Sequence, residues 1–206
     1  MVVTKILGYD EASRMDRAVM VADKIGYFEF DYAGACRDVK EFFPSSIVVE
    51  EIFREDFNDD LVAKDAVIAA INSGPLLVNY IGDGSVEVWE KSITSDEAHW
   101  LTNGFQLPFS INMTILNGFF YDFYTESLAE ALLKAESGGA IAVWASSGLT
   151  EPAGQVVMNE ELVRLLFNGE GLTIGEAAMR AKAAADDPDV RKTWILFGDP
   201  TTKLRY

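Results

Sequence analysis

Hydrolytic or transfer chemistry needs a group that attacks and a group that moves a proton, and this chain of 206 residues has one cysteine, Cys36, and one histidine, His99. A thiolate and an imidazole act as a pair only when they meet at one site, and neither residue lies near the carboxyl end of an expected strand. Cys36 falls in a helix predicted over Asp31 to Phe43 and reads as a small buried apolar residue. His99 falls in a short amphipathic helix predicted over Ser95 to Thr102 and reads as a surface or half-buried side chain. Carboxylates are plentiful, and Asp83, Glu87, Asp96 and Asp122 offer oxygen ligands for a hard cation. Their spacing matches no calcium loop, so they read as solvated surface groups. No metal site is assigned and no cofactor is expected, with a structural calcium left open.

The elements that must position any site are two apolar runs, each ending in a glycine turn. They are Pro75 to Trp89 (PLLVNYIGDGSVEVW) and Leu107 to Phe120 (LPFSINMTILNGFF). Such runs are the form of buried parallel strands whose carboxyl ends open a crevice. Around them the chain alternates strands with helices. Strands are expected at Arg17 to Ala22, Ser46 to Phe53, Leu76 to Ile81, Pro108 to Leu116, Ala140 to Ala145 and Trp194 to Phe197, with a short one at Ser85 to Glu90. Helices are expected over Asn58 to Asn72, capped by Asn58 or Asp59, and over Leu128 to Ala135, where Ser127 and Glu130 form a capping box. Two more follow, one carrying Met158, Leu162 and Leu165 on one stripe and one carrying Ile174, Ala178, Ala181 and Ala185 behind Thr173 and Glu176. This alternation predicts an α/β three-layer sandwich, a mostly parallel sheet of about six strands with helices on both faces.

Bulk properties bound the partners. Charge is 17 basic against 33 acidic residues, a net of −16, which repels a phosphate backbone and argues against nucleic acid. The acidity serves solubility first; a crevice that attracts basic peptides is the sharper reading, and Glu50 to Asp60 (EEIFREDFNDD) supplies carboxylates for such a field. A single cysteine forms no internal disulfide. No apolar run is long enough for a membrane span, and residues 1–16 lack the apolar core of a signal peptide. Within that segment Val2 to Leu7 reads as a short β-like run, and residues 1–16 as an N-terminal appendage or the remnant of a preceding subdomain, with one domain over 17–206. The chain lacks G-x-G-x-x-G and a Walker loop. The sequence sets no oligomeric state.

The turns carry a resemblance. GDGSVEVW resembles the Gly-His-Gly turn of the gingipain-type cysteine peptidases, and MTILNGFF resembles their Cys-Leu-Asn-Gly nucleophile turn; NYIGDGSVEVW, LNGFF, TESLAEALL, GGAIAVWASSGLT and TWILFGDPT follow in the same order. The resemblance covers nearly the whole chain after residue 16 and implies the caspase-like fold and proteolysis. It places Asp83 where the family carries its histidine and Ile115 where it carries its cysteine. The backbone amides of Gly84 and Ile115 take the oxyanion positions, and Trp144, Ser146, Ser147 and Gly148 line the primary specificity pocket. It also implies a secreted or cell-surface setting, although this chain shows no signal.

Isoleucine has no nucleophile, and an aspartate of ordinary pKa, about 4, is already ionised at neutral pH. Thr114 is expected to point away from Ile115 because side chains alternate along a strand. Ser146 and Ser147 have no histidine to activate them. The expectation is an inactive peptidase-type domain with a peptide-sized crevice, its partner a peptide or a substrate-like protein segment. Two rivals stand beside it: a non-catalytic peptide-binding or scaffold module using the same crevice, and an unrelated doubly wound enzyme using Asp83 with a metal or phosphate.

Overall fold

The computed structural model describes residues 2–26 and 29–206; Met1, the first residue of the expected appendage, lies outside them. Six strands form the main sheet in the order β2-β1-β3-β7-β8-β9. These are β1 (Arg17–Ala22), β2 (Val48–Phe53), β3 (Leu77–Ile81), β7 (Phe109–Met113), β8 (Ala142–Ser146) and β9 (Trp194–Gly198). All pair in parallel except β9, which runs antiparallel to β8. Between β3 and β7 a small three-stranded sheet, β4 (Gly84–Ser85), β5 (Val88–Trp89) and β6 (Ile93–Thr94), replaces the single short strand expected at Ser85 to Glu90.

Alternation along β1 divides the core into two layers. Ala18, Met20 and Ala22 face α2 (Tyr32–Lys40), α6 (Pro152–Phe167) and α7 (Ile174–Ala184), whereas Val19 and Val21 face α3 (Asp60–Asn72), α4 (Ser95–Ala98) and α5 (Leu128–Lys134). With both faces covered, the inner strands are apolar or neutral apart from Arg17 at the exposed start of β1, as the sequence pattern requires. Local chemistry fixes the helix starts: Asp31 caps α2, Asp59 caps α3, and complete capping boxes open α4 (Thr94, Glu97), α5 (Ser127, Glu130) and α7 (Thr173, Glu176). Each cap satisfies amide donors that the first helical turn leaves open.

Two elements depart from expectation. Val2–Glu11 is a helix, α1, and not a β-like run, because the packing uses Lys5 and Tyr9, four residues apart on one helical face and both buried. The Lys5 ammonium donates to the carbonyls of Leu132, at 3.1 Å, and Leu133, at 3.0 Å, so it caps the carboxyl end of α5. A further helix, α8 (Pro188–Thr193), leads directly into β9, with Asp187 accepting from the amides of Asp189 and Val190.

The chain leaves β1 toward β2 on one side and returns to β3 on the other, so the carboxyl ends of β1 and β3 flank the point where the winding reverses. In open α/β sheets that point is where loops part and a crevice forms.

Candidate functional site

Asp23 ends β1, Gly82 to Gly84 end β3, and Thr114 to Gly118 end β7; Ser146 to Gly148 follow from β8. The ends of β3 and β7 meet at a cleft of about 300 Å³, lined by Gly82, Asp83, Gly84, Thr114 and Ile115 together with Tyr32, Thr150, Pro152 and Gln155. The expected pair of turns is therefore brought together.

Asp83 is tightly held. Tyr32 Oη donates to its Oδ1 at 2.6 Å, and its amide donates to Asp23 Oδ2 at 3.3 Å. The Tyr80 hydroxyl donates to its carbonyl, and the Tyr80 ring stacks on Trp89 with centroids 4.6 Å apart. Burial, reinforced by the hydrogen bond to Asp83 and its charge, pushes the Tyr32 phenol well above its usual range. Beneath, Asp23 is 3% exposed and pairs with Arg54 Nη1 at 2.7 Å, while the Lys24 amide donates to Oδ1 at 2.6 Å. Burial outweighs these partners and raises the Asp23 carboxyl to about 6. Arg54 also donates to Glu90 O at 3.2 Å, tying β2 to the small sheet. At Gly84 a Cβ would lie 2.6 Å from Val88 O and 2.7 Å from Thr114 Oγ1, so the close approach of the two turns requires glycine there.

The second turn rests on a buried amide relay. Ser110 Oγ donates to Asn112 Oδ1 at 2.7 Å, and Asn112 Nδ2 to Asn117 Oδ1 at 3.2 Å. Asn117 Nδ2 then donates to the carbonyls of Ser85 and Val88, so one side chain stitches this turn to the first. Leu116 adopts φ 59°, an uncommon conformation for leucine, and its amide donates to Gly148 O at 3.2 Å. Among the described residues the Ile115 amide has no hydrogen-bond acceptor, its neighbours Thr114 and Leu116 each having one. Thr114 does not point away from Ile115. The strand ends at Met113, the Thr114 amide turns back to Asn112 O, and both side chains line the cleft. The Thr114 hydroxyl is buried there without a partner.

Trp144, Ser146, Ser147 and Gly148, expected in a specificity pocket, are not among the residues that line this cleft. Trp144 is buried on the α6/α7 face against Trp194, ring centroids 5.7 Å apart. Ser146 is fully buried and bonds Thr193 Oγ1 at 3.0 Å, Ser147 Oγ donates to Thr193 O at 2.9 Å, and Gly148 packs on Thr193. Gly148 reaches the site only through its carbonyl. Trp144 lines only a groove on the α7 face, so the lining of this cleft comes from the loop beyond β8. A second cavity of about 330 Å³ beside Ile115 is lined by Leu149, Thr150, Glu151, Asp187 and Asp189. Sequence reading missed these residues, and Tyr32 and Gln155 with them. The available signal was Pro152, the first residue of α6, which brings Thr150 and Gln155 onto one helix start, where Gln155 Nε2 donates to Thr150 Oγ1 at 2.8 Å.

His99 ends α4, and its Nε2 lies 2.6 Å from Glu126 Oε2; Cys36 is fully buried in α2. Neither lines the cleft. Among the described residues no three His, Cys, Asp or Glu side chains are grouped to hold a metal ion, and no helix is long and apolar enough to cross a membrane.

A six-stranded, mostly parallel sheet with its crevice at the carboxyl ends of β3 and β7 defines a caspase-like α/β domain. The model of peptidase family C25 matches residues 1–205, and the chain belongs to that family. It is 34% identical over 163 residues to gingipain R2 and to gingipain R1 of Porphyromonas gingivalis, spanning 71% of this chain and 22% and 16% of theirs. In the solved complex of the P. gingivalis RgpB pro- and mature domains, the matched chain superposes with a TM-score of 0.83 at 22% identity, over 98% of this chain and 53% of that one. The Arg-specific cysteine proteinase gingipain R superposes with a TM-score of 0.79 at 24% identity, over 98% and 52%. The chain thus spans about half the length of these solved chains and less than a quarter of the curated relatives it matches.

Proposed function

We propose that this chain is a peptidase-type domain of family C25 that does not hydrolyse peptides but keeps a crevice for them. Asp83 takes the position of the family histidine and Ile115 that of the family cysteine. The observation that carries the reading is the make-up of the cleft: the side chains at the two turns are a carboxylate held by Tyr32 and an aliphatic chain. The Thr114 hydroxyl, buried in the same cleft, has no hydrogen-bond partner to take its proton. What supports a retained crevice is the backbone, since the Ile115 amide is unengaged and Gly84 keeps the opposite wall close. Those two amides would face a polarised carbonyl oxygen. Removing the nucleophile of a serine peptidase cost on the order of a millionfold in rate, which sets the scale of the loss.

The cavity beside Ile115 supports a preference for a basic side chain. Glu151, Asp187 and Asp189 surround it with carboxylates, and the solved relative named above is Arg-specific. A lysine or arginine side chain entering there would leave its peptide bond beside residue 115.

The test compares this chain with Asp83→His/Ile115→Cys on a fluorogenic peptide library, with binding of uncleaved peptides measured in parallel. Cleavage after basic residues by the double variant alone is the expected result. Cleavage by the unmodified chain overturns the assignment. Peptide affinity in both proteins without cleavage in either favours the pure binding module.

A further inference from the structure

The two edges of the main sheet are managed differently. Edge strand β2 carries Glu50 and Glu51, paired with Arg17 at 2.6 Å and Lys40 at 2.5 Å. Charges of this kind keep an edge from pairing with another chain. Edge strand β9, Trp194–Gly198, reads WILFG and carries no charge, and most of it is only half-buried. The Ser147 amide donates to Thr193 O, which sets the phase of the antiparallel ladder. Ile195 and Phe197 then turn their backbone groups toward β8, and Trp194 and Leu196 turn theirs outward. Lys182 Nζ occupies the outward carbonyl of Trp194 at 2.8 Å. Among the described residues nothing outside β8 bonds the amide or carbonyl of Leu196.

A groove of about 680 Å³ runs along this edge between β9, α7 and α8. Its apolar floor includes Met179, itself 67% exposed. Its charged wall is Lys182, Arg191 and Lys192, and none of these forms a salt bridge among the described residues. In a chain of net charge −16, with carboxylates to spare, an unpaired cationic wall beside an uncharged open strand is specific to this place. A second copy related by a two-fold axis would set these cations against themselves, because such an interface is self-complementary.

We propose that this edge binds an extended acidic segment of a partner protein, which adds to β9 as a further strand. Backbone bonds to Leu196 supply the pairing, and alternate carboxylates reach the cationic wall while apolar residues cover the floor. The groove lies at the edge of the sheet, apart from the cleft at Asp83 and Ile115, and does not depend on the reading of that cleft.

The probe is a fluorescein-labelled octapeptide alternating glutamate with valine, followed by fluorescence anisotropy at low and moderate salt. Saturable binding that weakens with salt is expected, with at least about a tenfold loss in the Lys182→Glu/Arg191→Glu/Lys192→Glu variant, its fold checked by circular dichroism. The same peptide N-methylated at alternate residues, which removes its donors without touching the protein, should lose a comparable factor. No binding by the unmethylated peptide, or binding unchanged by charge reversal, overturns the site. Binding unchanged by N-methylation overturns strand addition. A dimer in sedimentation that the charge reversal abolishes would show that the edge serves a second copy instead.

Discussion

Asp23 offers a way to test whether the ground beneath the site is strained. Its carboxylate is 3% exposed, and its partners, Arg54 and the amides of Lys24 and Asp83, leave the pKa at about 6 against an ordinary 3.8. The native state therefore holds this proton more tightly than the unfolded chain. The resulting stabilisation is fully present below 3.8 and is lost as pH rises through 6. The whole shift is worth about 3 kcal/mol at about 1.4 kcal/mol per unit. Between pH 7.5 and pH 5, one unit below the folded pKa, about 1.4 kcal/mol of it develops.

The assay is urea unfolding of the wild type and Asp23→Asn at those two pH values, followed by tryptophan fluorescence. Asparagine keeps an oxygen for the Lys24 amide and cannot titrate. Distant carboxylates respond alike in both proteins, so the difference between them reports position 23 together with its coupling to Asp83. The wild type should gain about 1.4 kcal/mol relative to the variant on going to pH 5. Identical pH dependence in the two would refute the reasoning, since it would mean that Arg54 and the two amides fully offset burial. A gain by the variant instead would mean that the ion pair wins outright and the carboxyl lies below its ordinary value.

Two further outcomes follow from the same network and its surroundings. Asn117→Ala leaves the carbonyls of Ser85 and Val88 and the Asn112 amide without their partner; the expected cost is about 3 kcal/mol in urea unfolding, with faster hydrogen exchange at residues 84–88, and a loss below about 0.5 kcal/mol would show that water replaces the relay. Cys36 is fully buried and burial pushes its thiol up, so Ellman's reagent should not react with the folded chain and should titrate one thiol in guanidinium; rapid reaction of the folded chain would contradict the packing of α2 on β1.

What the sequence made legible was what is decided locally. Ser127 with Glu130 and Thr173 with Glu176 fix their helix starts through contacts three residues apart, and the apolar runs of β3 and β8 declare strands buried on both faces. The turns at Asp83 and Ile115 were legible as the glycine turns that follow the apolar runs of β3 and β7. What was not legible is decided across the fold. Val2 to Leu7 is helical because Lys5 finds the carbonyls of α5, more than a hundred residues away. Thr114 faces the cleft because the ladder stops at Met113, short of the Leu116 to which the strand was expected to run. Trp144 was assigned to a pocket by resemblance alone, and its packing against Trp194 on the α6/α7 face is a contact across the fold that no local pattern carries.

The site's framework does not depend on the residues that would do chemistry in it. Asp83 is fixed through its carbonyl by Tyr80 and through its amide by Asp23, and the second turn through Asn117 and the Leu116 amide. Apart from the Tyr32 hydrogen bond, none of these ties uses the side chain at 83 or 115: they run through backbone groups and through the Asn117 side chain. Exchanging an imidazole for a carboxylate or a thiol for an aliphatic chain therefore leaves the turns standing. This is why the proposed back-substitution is a fair test: it changes two side chains whose loss the fold was not built around, and it asks whether the backbone still places them well enough to react.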